Sequence, residues 1–201
     1  MITRALIILN CIAFAWEVRV GGSGMLSGFG DSAGIERVLV AGALIPSFVL
    51  QGGQWWRIIT GAFLHGGLLH IGVNMMSLWF LGHFIEFAVG PWRMLLIYFA
   101  SLIVSGLAVV YFSNPMVPTV GASGAIFGLF GALFAIGFKL GKRGMELVRA
   151  NIGILVINLI ITFTVPQISW QAHVAGLLAG FIITFAIYAP PRRVAPQQPM
   201  Q

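Results

Sequence analysis

Six apolar stretches dominate this chain of 201 residues, each near the roughly 20 residues that a helix needs to cross a bilayer. They lie near residues 3–20, 66–88, 94–112, 122–140, 149–165 and 170–188. Backbone polar groups inside hydrocarbon must bond within their own segment, so unbroken apolar runs of this length point to helices. With 59% hydrophobic and 8% charged residues, the chain carries more apolar surface than a soluble core encloses. The expected fold is all-α, a polytopic membrane bundle of six transmembrane helices. Within the first run Ala13-Phe14-Ala15 imitates a signal cleavage site, but Trp16 and Glu17 follow directly, and the run is read as a retained span.

The longest connection, 21–57, begins Gly-rich, turns apolar between Val38 and Leu50, and ends at Trp55 and Trp56. It reads as an interfacial first loop lying against the lipid bilayer, with the tryptophans as anchors. Residues 1–189 are read as one membrane domain, and the Pro/Gln-rich stretch 190–201 as a disordered cytoplasmic tail. The net charge of +6 comes from basic residues scattered singly or in pairs. That pattern suits membrane topology and gives no stripe for nucleic acid. Arg4, Arg93, Lys139, Lys142, Arg143, Arg149, Arg192 and Arg193 fall on one side of a six-span arrangement, and Arg19, Arg37 and Arg57 on the other. Both termini are therefore expected in the cytoplasm. Cys11 is the one cysteine, so there is neither an intrachain disulfide nor a thiolate metal cluster.

In this topology the second, fourth and sixth spans all enter from outside, which puts their first turns at similar depth. His70 and Asn74 lie early in the second, Ser123 in the fourth and His173 in the sixth. Polar side chains at one level on three helices point to a water-accessible pocket. Gly124, Gly128 and Gly131 recur at helical intervals after Ser123, and Gly176 and Gly180 form a G-x-x-x-G pair after His173. Small residues let helix backbones approach closely, which would bring Ser123 within reach of His173.

A serine hydroxyl is a weak nucleophile until a neighbouring base takes its proton, and a partly buried neutral imidazole is suited to do so. With no carboxylate expected near that depth, the arrangement reads as a Ser-His dyad whose histidine is oriented by packing. The backbone N–H of Ser123, in the first turn of its helix, and the side chains of His70 and Asn74, four apart on one face, are candidate donors to an oxyanion. His65, His70 and His83 have no carboxylate beside them in sequence, so no metal site is read, and no cofactor is needed.

These residues closely resemble the rhomboid family of intramembrane serine proteases. Gly121-Ala122-Ser123-Gly124 is similar to its G-x-S-G nucleophile motif, and Ala172-His173 with Gly176 and Gly180 to its histidine motif. His65-x4-His70-x3-Asn74, the pair Trp56-Arg57, and Glu86-x3-Gly90-x2-Arg93 resemble three further motifs in the family's order. The resemblance implies catalysis by Ser123 and His173, oxyanion stabilisation by His70, Asn74 and the Ser123 N–H, and scaffold roles for Trp56, Arg57, Glu86 and Arg93. It also implies transmembrane protein substrates cut near the outer face of the bilayer, entering between the second and fifth spans. A bacterial plasma membrane is the expected location. Phe127 departs from the pattern, since many relatives carry Tyr there; its ring retains the ability to stack on His173 but has no hydroxyl. The rivals are a non-catalytic rhomboid-like binder of transmembrane segments, and a transporter, for which the chain lacks a second internal repeat.

Overall fold

The computed structural model describes residues 1–27 and 32–190. Every apolar run folds as helix: α1 (Ile2–Gly21), then, after the first loop, α6 (Leu68–Ser77) continued through a π-helical turn (Leu78–Gly82) into α7 (His83–Val89), α8 (Pro91–Phe112), α9 (Ser123–Lys139), α10 (Lys142–Thr164) and α11 (Trp170–Ile187). Four of these stretches, Leu68–Val89, Pro91–Phe112, Lys142–Thr164 and Trp170–Ile187, are long and apolar enough to cross a membrane. Of the other two expected spans, α1 carries Arg4, Glu17 and Arg19, and α9 is apolar but 17 residues long. Two helices start earlier than the apolar runs suggest. Pro91 opens α8 because its missing N–H is an orphan at a first turn in any case, and α10 begins with the charged Lys142 and Arg143 ahead of its apolar part. The expected tail, apart from Pro190, lies outside the described residues.

The centre of the bundle is α9, in which every residue from Gly124 to Gly137 is buried. A helix apolar all round has no face for water, and this one is wrapped by its neighbours. Its closest partner is α11, and the contact is made by glycine. A Cβ at Gly176 would strike the carbonyl oxygen of Gly124, and one at Gly180 would strike that of Gly128. Helices in lipid gain nothing from leaving water together, so such close van der Waals contact is a main source of their association.

Among the described residues the first loop forms four short helices, α2 (Gly24–Ser27), α3 (Ser32–Gly42), α4 (Pro46–Leu50) and α5 (Arg57–Gly61). Trp55 and Trp56 are about half exposed, in keeping with an anchoring position, but Ala43, Leu44, Ile45 and Val49 are buried. The segment therefore packs inward as well as lying along the surface. Leu44 exchanges both backbone hydrogen bonds with Thr119 (3.1 and 2.8 Å), and the N–H of Ser47 donates to the Pro115 carbonyl (2.9 Å). These bonds tie the loop to the connection that leads into α9.

The glycine contact is directly testable. Adding one methyl at Gly180 forces backbone against backbone, so Gly180→Ala is expected to destabilise the bundle by about 1–3 kcal/mol. Gly153, whose Cβ would meet nothing within 4 Å, is the control: Gly153→Ala is expected to leave the thermal unfolding temperature in detergent unchanged or higher.

Candidate active site

Ser123 is the first residue of α9, and Ala122 precedes it as the cap. Its position depends on Gly121, whose φ of +120° suits glycine and whose N–H donates to the Gly61 carbonyl at 2.9 Å. A Cβ on Gly121 would lie 2.8 Å from Cε1 and Nε2 of His70 and 3.6 Å from Nδ2 of Asn74. The second apolar stretch is thus pressed against the turn that presents the serine. His173 occupies the first turn of α11, which Ser169 caps by accepting the Ala172 N–H at 3.3 Å.

The glycine contact between α9 and α11 brings the two turns together. His173 Nε2 lies 2.8 Å from Ser123 Oγ, across 50 residues of sequence. The imidazole is buried, while Ser123 is half-buried. Phe127 covers the ring in a near-parallel stack, centroids 4.1 Å apart at 14°. On its other nitrogen, Nδ1, the ring meets Thr162 Oγ1 at 2.7 Å. A hydroxyl from α10 thus meets the histidine in addition to the packing that was expected to orient it in place of a carboxylate.

His70 is half-buried, and its Nδ1 accepts the Gly66 N–H at 3.2 Å. An imidazole nitrogen that accepts is unprotonated, so in the neutral ring Nε2 carries the hydrogen, and Nε2 lies with Cε1 on the edge of the ring that faces Gly121. Asn74 is buried, and its Nδ2 has no hydrogen-bond partner. An unpaired buried donor calls for an explanation. Here it lies with His70 against Gly121, two residues before Ser123.

Of the remaining residues singled out from sequence, Gly124, Arg57 and Glu86 join one element to another, and Arg93 does not. Gly124 faces Ser105, and Ser105 Oγ donates to the Ala172 carbonyl at 2.8 Å, joining α8 to the residue before His173. Arg57 caps the end of α3 through the carbonyls of Ala43 (2.8 Å) and Val40 (2.6 Å) and lies over the ring of Trp56, 4.6 Å from its centroid. Desolvation draws its guanidinium below the ordinary arginine value. Glu86 accepts from the N–H groups of Ile2 (2.8 Å) and Thr3 (3.0 Å) and from Thr3 Oγ1 (2.7 Å), which caps α1. Arg93 is exposed in the first turn of α8 and makes no ion pair among the described residues.

One carboxylate does reach this region. Glu17 is 1% exposed, and both its oxygens accept the His65 backbone N–H at 3.0 Å. It holds the entry to α6 and contributes nothing to His173. His65 is itself buried, with its ring 5.2 Å from that of His70. Burial, reinforced by His70, pushes its imidazole down to about 3, so it stays neutral at ordinary pH. His83 bonds to the Trp79 carbonyl and does not join the other two. Sequence reading passed over Glu17, Ser105 and Thr162; the signal in each case was a polar residue inside an apolar run.

Residues 52–190 match the Rhomboid domain family model. The chain belongs to the rhomboid family. It is 38% identical over 162 residues to the rhomboid protease GluP of Bacillus subtilis, covering 80% of this chain and 31% of GluP. It is likewise 38% identical over 135 residues to the putative rhomboid protease YdcA of the same organism, covering 66% of this chain and 67% of YdcA. A third relative, the inactive RHOMBOID-like protein 8 of Arabidopsis thaliana, is 32% identical over 141 residues, 69% of this chain and 40% of its own length. The chain thus spans under a third of GluP and about two thirds of YdcA.

The unpaired amide of this rhomboid domain has a measurable consequence. An orphaned buried donor costs about 1–3 kcal/mol, so Asn74→Leu, which fills a similar volume without the donor, is expected to unfold at a temperature equal to or above that of the unaltered protein.

Proposed function

We propose that this chain is an intramembrane serine endopeptidase that cleaves transmembrane segments of membrane-anchored proteins near the outer face of the bilayer. The observation that carries this reading is the 2.8 Å contact between Ser123 Oγ and His173 Nε2, set beside the unpartnered amide of Asn74. Kinship with proteins named rhomboid proteases supports it. The six-span arrangement with both termini in the cytoplasm of a bacterial cell, the dyad and the oxyanion donors belong to the same proposal.

His173 Nε2 takes the Ser123 hydroxyl proton as Oγ bonds to the scissile carbonyl carbon, and the carbonyl π pair moves onto oxygen. That oxygen gains charge only as the bond forms, and Asn74 Nδ2–H, His70 Nε2–H and the Ser123 N–H are the donors for it. On collapse the C–N bond breaks, and the proton on His173 goes to the leaving amine. An ester on Ser123 remains. Water then attacks it with His173 again as base, and the acid product leaves as Oγ recovers its proton. A substrate helix must open locally to expose its carbonyl to Ser123, and water must reach the same point.

A fluorescent fluorophosphonate tests the nucleophile. The unaltered protein is expected to label, and both Ser123→Ala and His173→Ala to lose labelling and cleavage of a transmembrane substrate while staying folded. A folded protein that never labels would turn the reading toward a non-catalytic binder of transmembrane segments.

Asn74→Ala separates the oxyanion role from substrate contact. A lost oxyanion donor typically costs about 10²–10³ in turnover, so kcat is expected to fall steeply with KM little changed. An equal loss in binding would make Asn74 a substrate contact instead.

A further inference from the structure

Four polar side chains lie in the apolar half of α10. Asn151 Nδ2 donates to the Leu147 carbonyl (2.9 Å), Asn158 Nδ2 to that of Ile154 (2.8 Å) and Thr164 Oγ1 to that of Ile160 (2.7 Å). Each of these is satisfied by its own helix, the common fate of such residues in apolar surroundings. Thr162 differs, because it lies in the buried seam of Gly144, Val148, Leu155 and Thr162 and reaches another helix. In a stretch whose most apolar window is only 17% buried, Thr162 itself is 3% exposed.

Its hydroxyl has two neighbours and one hydrogen. Oγ1 is 2.7 Å from the Asn158 carbonyl oxygen and 2.7 Å from His173 Nδ1. The carbonyl carries no hydrogen, so that contact is a bond only if Thr162 donates to it. His173 must then supply the hydrogen of the other contact, from Nδ1. In a neutral imidazole a protonated Nδ1 leaves Nε2 with its lone pair, and Nε2 is the atom 2.8 Å from Ser123 Oγ. The reverse arrangement, with Thr162 donating to Nδ1, gives up the carbonyl bond and turns an Nε2–H toward the serine, where it takes no proton. The productive form thus has one more buried hydrogen bond than the unproductive one.

We infer that Thr162 is a positioning residue that selects the tautomer of His173 able to accept the serine proton. This rests on the proposed Ser123–His173 dyad and goes beyond it, since it gives a hydroxyl on a third helix the part that a carboxylate takes in a Ser-His-Asp triad. Phe127 holds the plane of the ring, but a stacked phenyl is indifferent to which nitrogen bears the hydrogen. Thr162 makes that distinction. Elsewhere, groups that orient a functional imidazole through its second nitrogen carry about 10- to 100-fold in activity or affinity.

The test joins histidine nitrogen NMR with kinetics on the full chain. Protein with ¹⁵N in its four histidines is compared as unaltered, Thr162→Val and Thr162→Ser, with the His173 signals identified by their loss in His173→Gln. Unaltered His173 is expected to be protonated at Nδ1 and bare at Nε2. Thr162→Val, equal in volume, is expected to lose that preference and to lower kcat about 10- to 100-fold with KM little changed. Thr162→Ser, which keeps the hydroxyl, is expected to restore both. A resting His173 protonated at Nε2 overturns the inference even if the valine variant does not fold. So does a folded Thr162→Val that keeps the Nδ1–H form and full kcat. An unaltered protein that fails to react with fluorophosphonate but shows the Nδ1–H form, lost in the valine variant, would leave the tautomer assignment standing and remove the protease reading.

Discussion

The backbone contact between α9 and α11 is the constraint on which the rest of the structure depends. At Gly124, Gly128, Gly176 and Gly180 the two helices approach so closely that a methyl group would collide with the other chain segment or with Ser101 and Ser105 of α8. Packing of this kind fixes register as well as distance, because one turn of slippage would place side chains where only backbone fits. Ser123 and His173 stand in the first turns of these helices, so the register that suits the glycines is also the one that puts Oγ and Nε2 at 2.8 Å.

That pairing would be loose without support from outside the two helices. The turn before Ser123 is held by its bonds to Leu44 and Gly61, and Gly121 lies against His70 without a Cβ between them. Glu17 and Gly66 in turn hold the approach to α6. The irregular backbone around the site is therefore bonded to neighbouring backbone at Thr119 and Gly121 and to the side chains of Glu17 and His70 at His65 and Gly66, and non-helical chain is tolerated in a membrane protein where it is buried in protein in this way. Asn74 Nδ2 is a local exception inside this frame, consistent with a donor kept for an oxygen that arrives during the proposed reaction.

How much of this was legible beforehand varied with the kind of partner involved. Helical spacing converts directly into a shared face, so His70 with Asn74 and Gly176 with Gly180 were readable as pairs. Length and apolarity located the helices, although Pro91 and the charged start of α10 carried two of them beyond the apolar runs. Glu17, Ser105 and Thr162 were not readable, since each acts on a residue far away in the chain: His65, Ala172 and His173. Thr162 and Thr164 look alike in sequence, and only the rotation of α10 buries one and exposes the other.

By itself the sequence determined a helical membrane chain, because unbroken apolar runs with so few charges have one way to satisfy their backbone in lipid. It also determined which residues could carry chemistry, because polar groups are scarce there and few of them combine a nucleophile with a base. What only the tertiary structure decided is which nitrogen of His173 meets Ser123, what holds the other nitrogen, and which carboxylate reaches the site region. Those outcomes depend on the relative rotation and depth of α1, α9, α10 and α11, and rotation about a helix axis is set by contacts among helices, not by the periodicity of any one of them.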